Sequence, residues 1–228
     1  MGDLTAHMPK CMVSVAGRTL LDWQLSALRA AGVREIGLVT GYRADDIRAD
    51  DLTEFTNREW ATSNMVRSLT CAGPWLVGAD TVVSYSDIIY GPDAIAALLG
   101  ARSPIAITYD PNWLAQWEAR FDDPLSDAES FSVDGGQLTD IGRSNVSMDE
   151  IQGQYMGLLR FRPEGWEEVR RQVEDLGPAK ADQIHMTDLL RRIIEAGRVG
   201  IAAIPYTGPW AEVDDERDRR HAEGIFGT

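Results

Sequence analysis

The sequence predicts an α/β fold: a mostly parallel sheet with helices on both faces, and a β-hairpin region inserted in its second half. Three observations carry this. Short apolar runs bounded by turn residues alternate with helical spacings along the first half, as in parallel strands joined by crossover helices. Asp134-Gly135-Gly136, between two short strand-like runs, is a hairpin signal. The chain has 228 residues of which 44% are apolar, enough to fill one sizeable core. We read residues 1–228 as a single domain and 110–160 as an inserted region packed on the same sheet.

The elements follow in order. Residues 19–31 form a helix, with Leu21, Leu25 and Leu28 at helical spacing and Gly32 at the position after its C-cap. Residues 35–40 (EIGLVT) read as a buried strand, followed by Gly41-Tyr42 and a short helix over 44–49. Residues 64–71 are helical. Residues 81–85 (TVVSY) are a strand ending in Ser86-Asp87, 93–99 a helix and 105–109 a strand. In the second half, 131–133 and 137–141 are the hairpin arms and 154–161 (QYMGLLRF) is a strand. Helices over 163–173 and 186–196, strands over 199–205 and 210–213, and a helix over 215–222 close the chain.

Composition excludes several function classes. There are 22 basic and 36 acidic residues, a net charge of −14, which argues against a nucleic-acid partner. A local nest of N–H groups and cations can still take a nucleotide. Cys11 and Cys71 make no disulfide framework, so a reducing cytoplasm is the expected location. No apolar run approaches the roughly 18 residues of a membrane span, and residues 1–10 have no signal-peptide core. A dinucleotide-type G-x-G-x-x-G after a strand and a G-x-x-x-x-G-K-[ST] loop are both absent. His7, His185 and His221 are scattered and read as structural or surface residues, so no Ser/His/Asp or Cys/His set emerges.

Ligands of open α/β sheets bind at the carboxyl ends of strands. Asp87 closes TVVSYSD and Asp214 follows the strand in WAEVDD. Both are hard oxygen donors of the kind Mg²⁺ prefers. The competing reading makes each the N-cap of a following helix, although Asp215 suits that role better. Lys10 and Lys180 are the only lysines. Lys10, in Met8-Pro9-Lys10, offers a compact ammonium for a phosphate oxygen; the alternative is a solvated surface lysine, and Lys180 reads as one.

At these residues the chain resembles a family. PKCMVSVAGRTLLDWQLSALRAAGVREIGLVTGY is similar to the segment that follows the glycine-rich loop in nucleotidyltransferases of the sugar-phosphate and phosphocholine cytidylyltransferase type. SNMVRSL resembles the [NS]-N-M-x-x-S-L helix of the choline-phosphate branch, VVSYSDIIY its metal-aspartate strand, and WAEVDDERD its closing E-[IV]-D-[ST]-x-x-D segment. The four motifs stand in family order across essentially the whole chain. The resemblance implies a Rossmann-like sheet of the nucleotide-diphospho-sugar transferase type. It also implies attack by an acceptor phosphate or phosphonate on the α-phosphorus of CTP or another NTP, with pyrophosphate leaving. It implies Mg²⁺ on Asp87 and Asp214, a phosphate contact from Lys10, and Tyr42 and Asn64 near the nucleotide or acceptor. Many relatives place a further lysine on the acceptor phosphate after the hairpin; here Arg143 is the only nearby cation.

For the acceptor, Asp122, Asp123, Asp127 and Glu129, edged by Trp113, Trp117 and Trp166, suggest a pocket for an amine or quaternary ammonium such as phosphocholine or a 2-substituted ethylphosphonate. The alternative is a solvated acidic loop above core tryptophans. Two rival functions remain: a sugar-1-phosphate nucleotidylyltransferase, and a non-catalytic remnant domain. One departure separates the chain from the family pattern. Met1-Gly2-Asp3 stands only a few residues before Pro9-Lys10, where the family has a strand and L-A-A-G-x-G-x-R. The expectation is a sheet with a slot left vacant or filled by another chain, with impaired NTP use. The sheet edge so exposed makes a homodimer a further expectation.

Overall fold

The computed structural model describes residues 3–47, 49 and 51–227. Its elements are, in chain order, β1 (Ser14–Val15), β2 (Arg18–Thr19), α1 (Leu20–Ala30), β3 (Gly37–Thr40), β4 (Thr53–Thr56), α2 (Met65–Cys71), α3 (Gly73–Leu76), β5 (Thr81–Ser84) and β6 (Ile88–Tyr90). Next come α4 (Pro92–Gly100), β7 (Ile105–Asp110), α5 (Trp113–Arg120), β8 (Phe131–Asp134), β9 (Gln137–Ile141) and β10 (Gln154–Phe161). The chain closes with α6 (Pro163–Leu176), α7 (Pro178–Ala181), α8 (Met186–Ala196), β11 (Ile201–Pro205), β12 (Trp210–Glu212) and α9 (Glu216–Phe226).

Local chemistry explains the ends of these elements. Thr19 caps α1 through a reciprocal box with Asp22: the Asp22 N–H donates to Thr19 Oγ1 at 3.0 Å. The hairpin turns at Gly135 and Gly136 with φ of +56° and +77°, the two left-handed residues that a tight hairpin requires. Asp215 caps α9, accepting from the Arg217 and Asp218 N–H groups at 2.8 and 3.0 Å. The cap role expected for Asp215 is therefore met, and it leaves Asp214 free of it.

The central sheet has the order β5-β10-β7-β11-β9-β8. β7 and β11 pair in parallel, β10 runs antiparallel between β5 and β7, and the β8–β9 hairpin extends the far edge. Following these pairings, β5, β7, β11 and β8 share one direction and β10 and β9 run against it, so the sheet is mixed, with four strands pointing one way and two reversed. The inserted hairpin adds strands to the existing sheet. β3 and β4 form a parallel pair of their own, with no hydrogen bond to the larger sheet among the described residues.

Strand alternation divides the core into two layers. On one face Ile105, Ile107, Leu159, Phe161 and Ile201 pack against α6 and α8 through Trp166, Val169, Leu189, Leu190 and Ile193. On the other, Ala106, Leu158 and Ala202 pack against α4 and α5 through Ile95, Leu98, Trp113 and Trp117. This corrects the suggested aromatic pocket: Trp113, Trp117 and Trp166 are 5%, 4% and 2% exposed and belong to the two core layers. The reason is energetic, since a buried indole withdraws a large apolar area from water. Among the described residues, no helix is long and apolar enough to cross a membrane.

Candidate active site

Three segments far apart in sequence meet beside β6 and β12. Gln24 of α1 is buried and donates to the Tyr85 and Ile88 carbonyls at 2.8 and 2.7 Å. This clamps the turn that carries Asp87. β6 pairs antiparallel with β12, with Ile88 opposite Glu212, and the Val213 N–H donates to the Asp87 carbonyl at 2.8 Å. Asp87 and Asp214 are thus brought side by side by main-chain hydrogen bonds. Lys10 begins a single 3₁₀ turn whose buried Cys11 packs on Leu21 and Leu25 of α1. That anchor points the lysine at the same place.

The side chains converge. Lys10 Nζ donates to Asp87 Oδ2 at 2.7 Å and to Asp214 Oδ1. Asp87, Glu212 and Asp214 each offer one oxygen, all within 4.8 Å of one another. Behind them the buried Arg120 guanidinium donates to Glu212 Oε2 at 2.7 Å, Asp214 Oδ2 at 3.0 Å and Asp218 Oδ1 at 3.0 Å. Asp218 Oδ2 in turn accepts from the Asp214 N–H at 2.9 Å. Among the described residues, Asp87 Oδ1 is buried with no hydrogen-bond partner.

This crowding shows in the protonation equilibria. Burial alone would lower the Lys10 ammonium, but Asp87 and Asp214 overcome it and hold the group above the usual lysine range. Burial pushes the Glu212 carboxyl up to about 7; Arg120 opposes this while Asp87 and Asp214 add to it. Clustered carboxylates with one orphaned buried oxygen are the hard donor set that Mg²⁺ takes, so the residues present fit such an ion.

Most of the other expected site residues lie farther from this cluster. Asp127 is solvent-exposed near Arg120 and Asp214; partial desolvation lifts its carboxyl, Arg120 opposes and Asp214 adds. Glu129, also lifted by burial, faces a cleft of about 620 Å³ together with Arg143, Asn145, His185, Asp188 and Arg191. Arg143 is committed to Asp140 at 2.8 Å and Glu150 at 3.0 Å. The Asn64 amide donates to the Gln183 carbonyl and approaches His185 Nε2, so it ties the start of α2 to the loop before α8. Tyr42 donates to the Ala6 carbonyl at 3.0 Å and packs on Trp60, with ring centroids 5.2 Å apart. Asp122 is fully exposed beside Arg217, and Asp123 caps a short turn, so neither faces the cleft. Lys180 is exposed, at the end of the short α7.

Sequence reasoning missed Glu212, Asp218 and Arg120. The first two had a signal, because they are the outer residues of E-[IV]-D-[ST]-x-x-D in WAEVDDERD. Arg120 had none: it ends a helix that was not foreseen and reads as an ordinary arginine before an acidic loop.

Comparison with known proteins places the chain in a family. Residues 1–132 match the model of the MobA-like NTP transferase domain. The chain is 31% identical to CTP:phosphoglutamine cytidylyltransferase of Campylobacter jejuni, over 92% of this chain and 89% of that protein. Among solved structures, the inositol-1-phosphate CTP transferase of T. maritima superposes with a TM-score of 0.73 at 16% identity, covering 98% of this chain and 89% of the other. The CTP:phosphocholine cytidylyltransferase of Streptococcus pneumoniae gives 0.72 at 17% identity, covering 99% and 92%. These two share the fold. The chain belongs to the MobA-like NTP transferase family and is a nucleotidyltransferase.

Proposed function

We propose that the protein is a Mg²⁺-dependent cytidylyltransferase that moves CMP from CTP onto a small phosphate or phosphonate acceptor. The observation that carries this is the convergence of Lys10, Asp87, Glu212 and Asp214 on one point. The Campylobacter relative, named for CTP and phosphoglutamine, supports the choice of nucleotide and an acceptor with an organic amine.

An acceptor oxygen attacks the α-phosphorus, a new P–O bond forms, and the bond to the pyrophosphate oxygen breaks. The acceptor is already anionic, so the protein need not supply a covalent nucleophile. Its work is alignment and charge neutralisation. Asp87 and Asp214, with Glu212 beside them, would hold Mg²⁺, which when bound screens phosphate charge and orients the α-phosphate. Lys10 supplies a compact cation at the same point and contacts a phosphate oxygen. Tyr42 and Asn64 lie toward the nucleotide in this reading. Glu129 and Asp127 recognise the acceptor's ammonium, and Arg143 its phosphate side.

The test is pyrophosphate release from CTP, UTP, ATP and GTP, each with phosphocholine, aminoethylphosphonate, phosphorylated glutamine or glucose 1-phosphate. We expect turnover with CTP and an amine-bearing acceptor. Release only with glucose 1-phosphate would favour the sugar-nucleotide reading, and no release with any pair would contradict both.

A further inference from the structure

We propose that Arg120 is the positioning residue of the carboxylate cradle: it takes one oxygen each of Glu212 and Asp214 and turns the other toward Asp87. This rests on the metal-binding reading of Asp87 and Asp214 given above.

The Arg120 side chain is 1% exposed. Burying a guanidinium is costly unless its donors are all engaged. Here Nε faces Asp218, Nη1 faces Glu212 and Nη2 faces Asp214, while the ring faces of Trp117 and Phe121 lie 5.2 and 5.1 Å from its central carbon. The planar fork is therefore locked from behind and from the side. Its reach fixes where Glu212 and Asp214 stand.

The division of oxygens shows the consequence. Asp214 gives Oδ2 to Arg120 and Oδ1 to Lys10. Glu212 gives Oε2 to Arg120, and Asp87 gives Oδ2 to Lys10. Four carboxylates, Asp87, Glu212, Asp214 and Asp218, thus touch only two cations among the described residues. Fully ionised, they leave two negative charges, the charge one divalent ion neutralises. An arginine serving only to anchor α9 would need Asp218 alone. Contact with both Glu212 and Asp214 does more: it holds two mutually repelling acids in the spacing a cation needs. Lysine cannot replace it, since a point charge lacks the fork.

The test is Mn²⁺ titration of the nucleotide-free protein, read by the electron paramagnetic resonance of unbound Mn²⁺, for wild type, Arg120→Lys, Arg120→Gln and Asp87→Asn. Circular dichroism and thermal melts monitor folding. Arg120→Lys is expected to stay folded and to bind Mn²⁺ about 10-fold to 100-fold more weakly, the usual loss when a group that orients metal ligands is removed. Its turnover should recover at saturating Mn²⁺, which a general structural defect would not allow. Wild-type Mn²⁺ affinity in Arg120→Lys, alongside lost binding in Asp87→Asn, would overturn the proposal while leaving the metal site intact. Unimpaired binding in Asp87→Asn would instead overturn the metal reading on which it rests. Failure of both Arg120 variants to fold would make the residue a structural anchor and also overturn it.

Discussion

Glu168 of α6 and Glu212 of β12 both sit against an arginine, yet their surroundings push them in opposite directions. Glu168 is gripped by both nitrogens of the Arg198 fork at 2.8 and 2.7 Å and by the Gln172 amide at 2.8 Å. The Arg198 hydrogen bonds outweigh burial and hold its carboxyl below the usual range. Glu212 also has an arginine, but burial lifts its carboxyl, and Asp87 and Asp214 crowd it and add to that effect. One assembly is satisfied; the other keeps like charges together at a cost. Burial together with like-charge crowding is what a site waiting for an external cation looks like, and the two together separate a binding centre from a structural ion pair.

The largest expected effect breaks this contrast in activity. Asp214→Asn should lower pyrophosphate release by about 10²- to 10³-fold, the usual cost of removing a charge-stabilising group at the reacting centre. Glu168→Gln should stay within a factor of two. Similar losses in the two variants would erase the distinction between the sites.

A smaller effect sharpens it in stability. Urea melts of Glu168→Gln should show a loss of about 1.5–3 kcal/mol, as for a charge-assisted hydrogen bond, while Glu212→Gln should be near neutral. The pH dependence carries opposite signs. Glu212 is raised from 4.5 to about 7 on folding, so its contribution is fully present below the unfolded value and is lost as pH rises through 7. Glu168 is lowered, so its contribution is present above the usual glutamate range and is lost as pH falls through its folded value. Thermal melts across pH should therefore show Glu212→Gln flattening the decline between about pH 5 and 8, and Glu168→Gln flattening the rise on the acid side. Parallel pH profiles for the two variants would contradict the assignment.

Much of this was legible from residues alone. The α1 helix and the hairpin followed from apolar spacing and from Asp-Gly-Gly, both local signals. Asp87 and Asp214 were found because strand ends face the ligand side of an open sheet, and Lys10 because lysine is scarce in this chain. β4 (TEFT) was missed because its side chains are mostly exposed and leave little apolar alternation. α5 is hard to read in the sequence because its two tryptophans suit a pocket wall as well as a helix; Trp113 and Trp117 stand one helical turn apart and face the core. Arg120 could not be read at all, since its meaning lies in three acids brought to it from beyond residue 210 by the folding of β12 and α9.

The most direct test of the central claim is anomalous diffraction from crystals grown with CTP and Mn²⁺. The expected result is a single strong peak within coordinating distance of Asp87 and Asp214, with Lys10 turned onto a phosphate oxygen. A protein with CTP bound, Lys10 still bridging Asp87 and Asp214, and no manganese between them would contradict it.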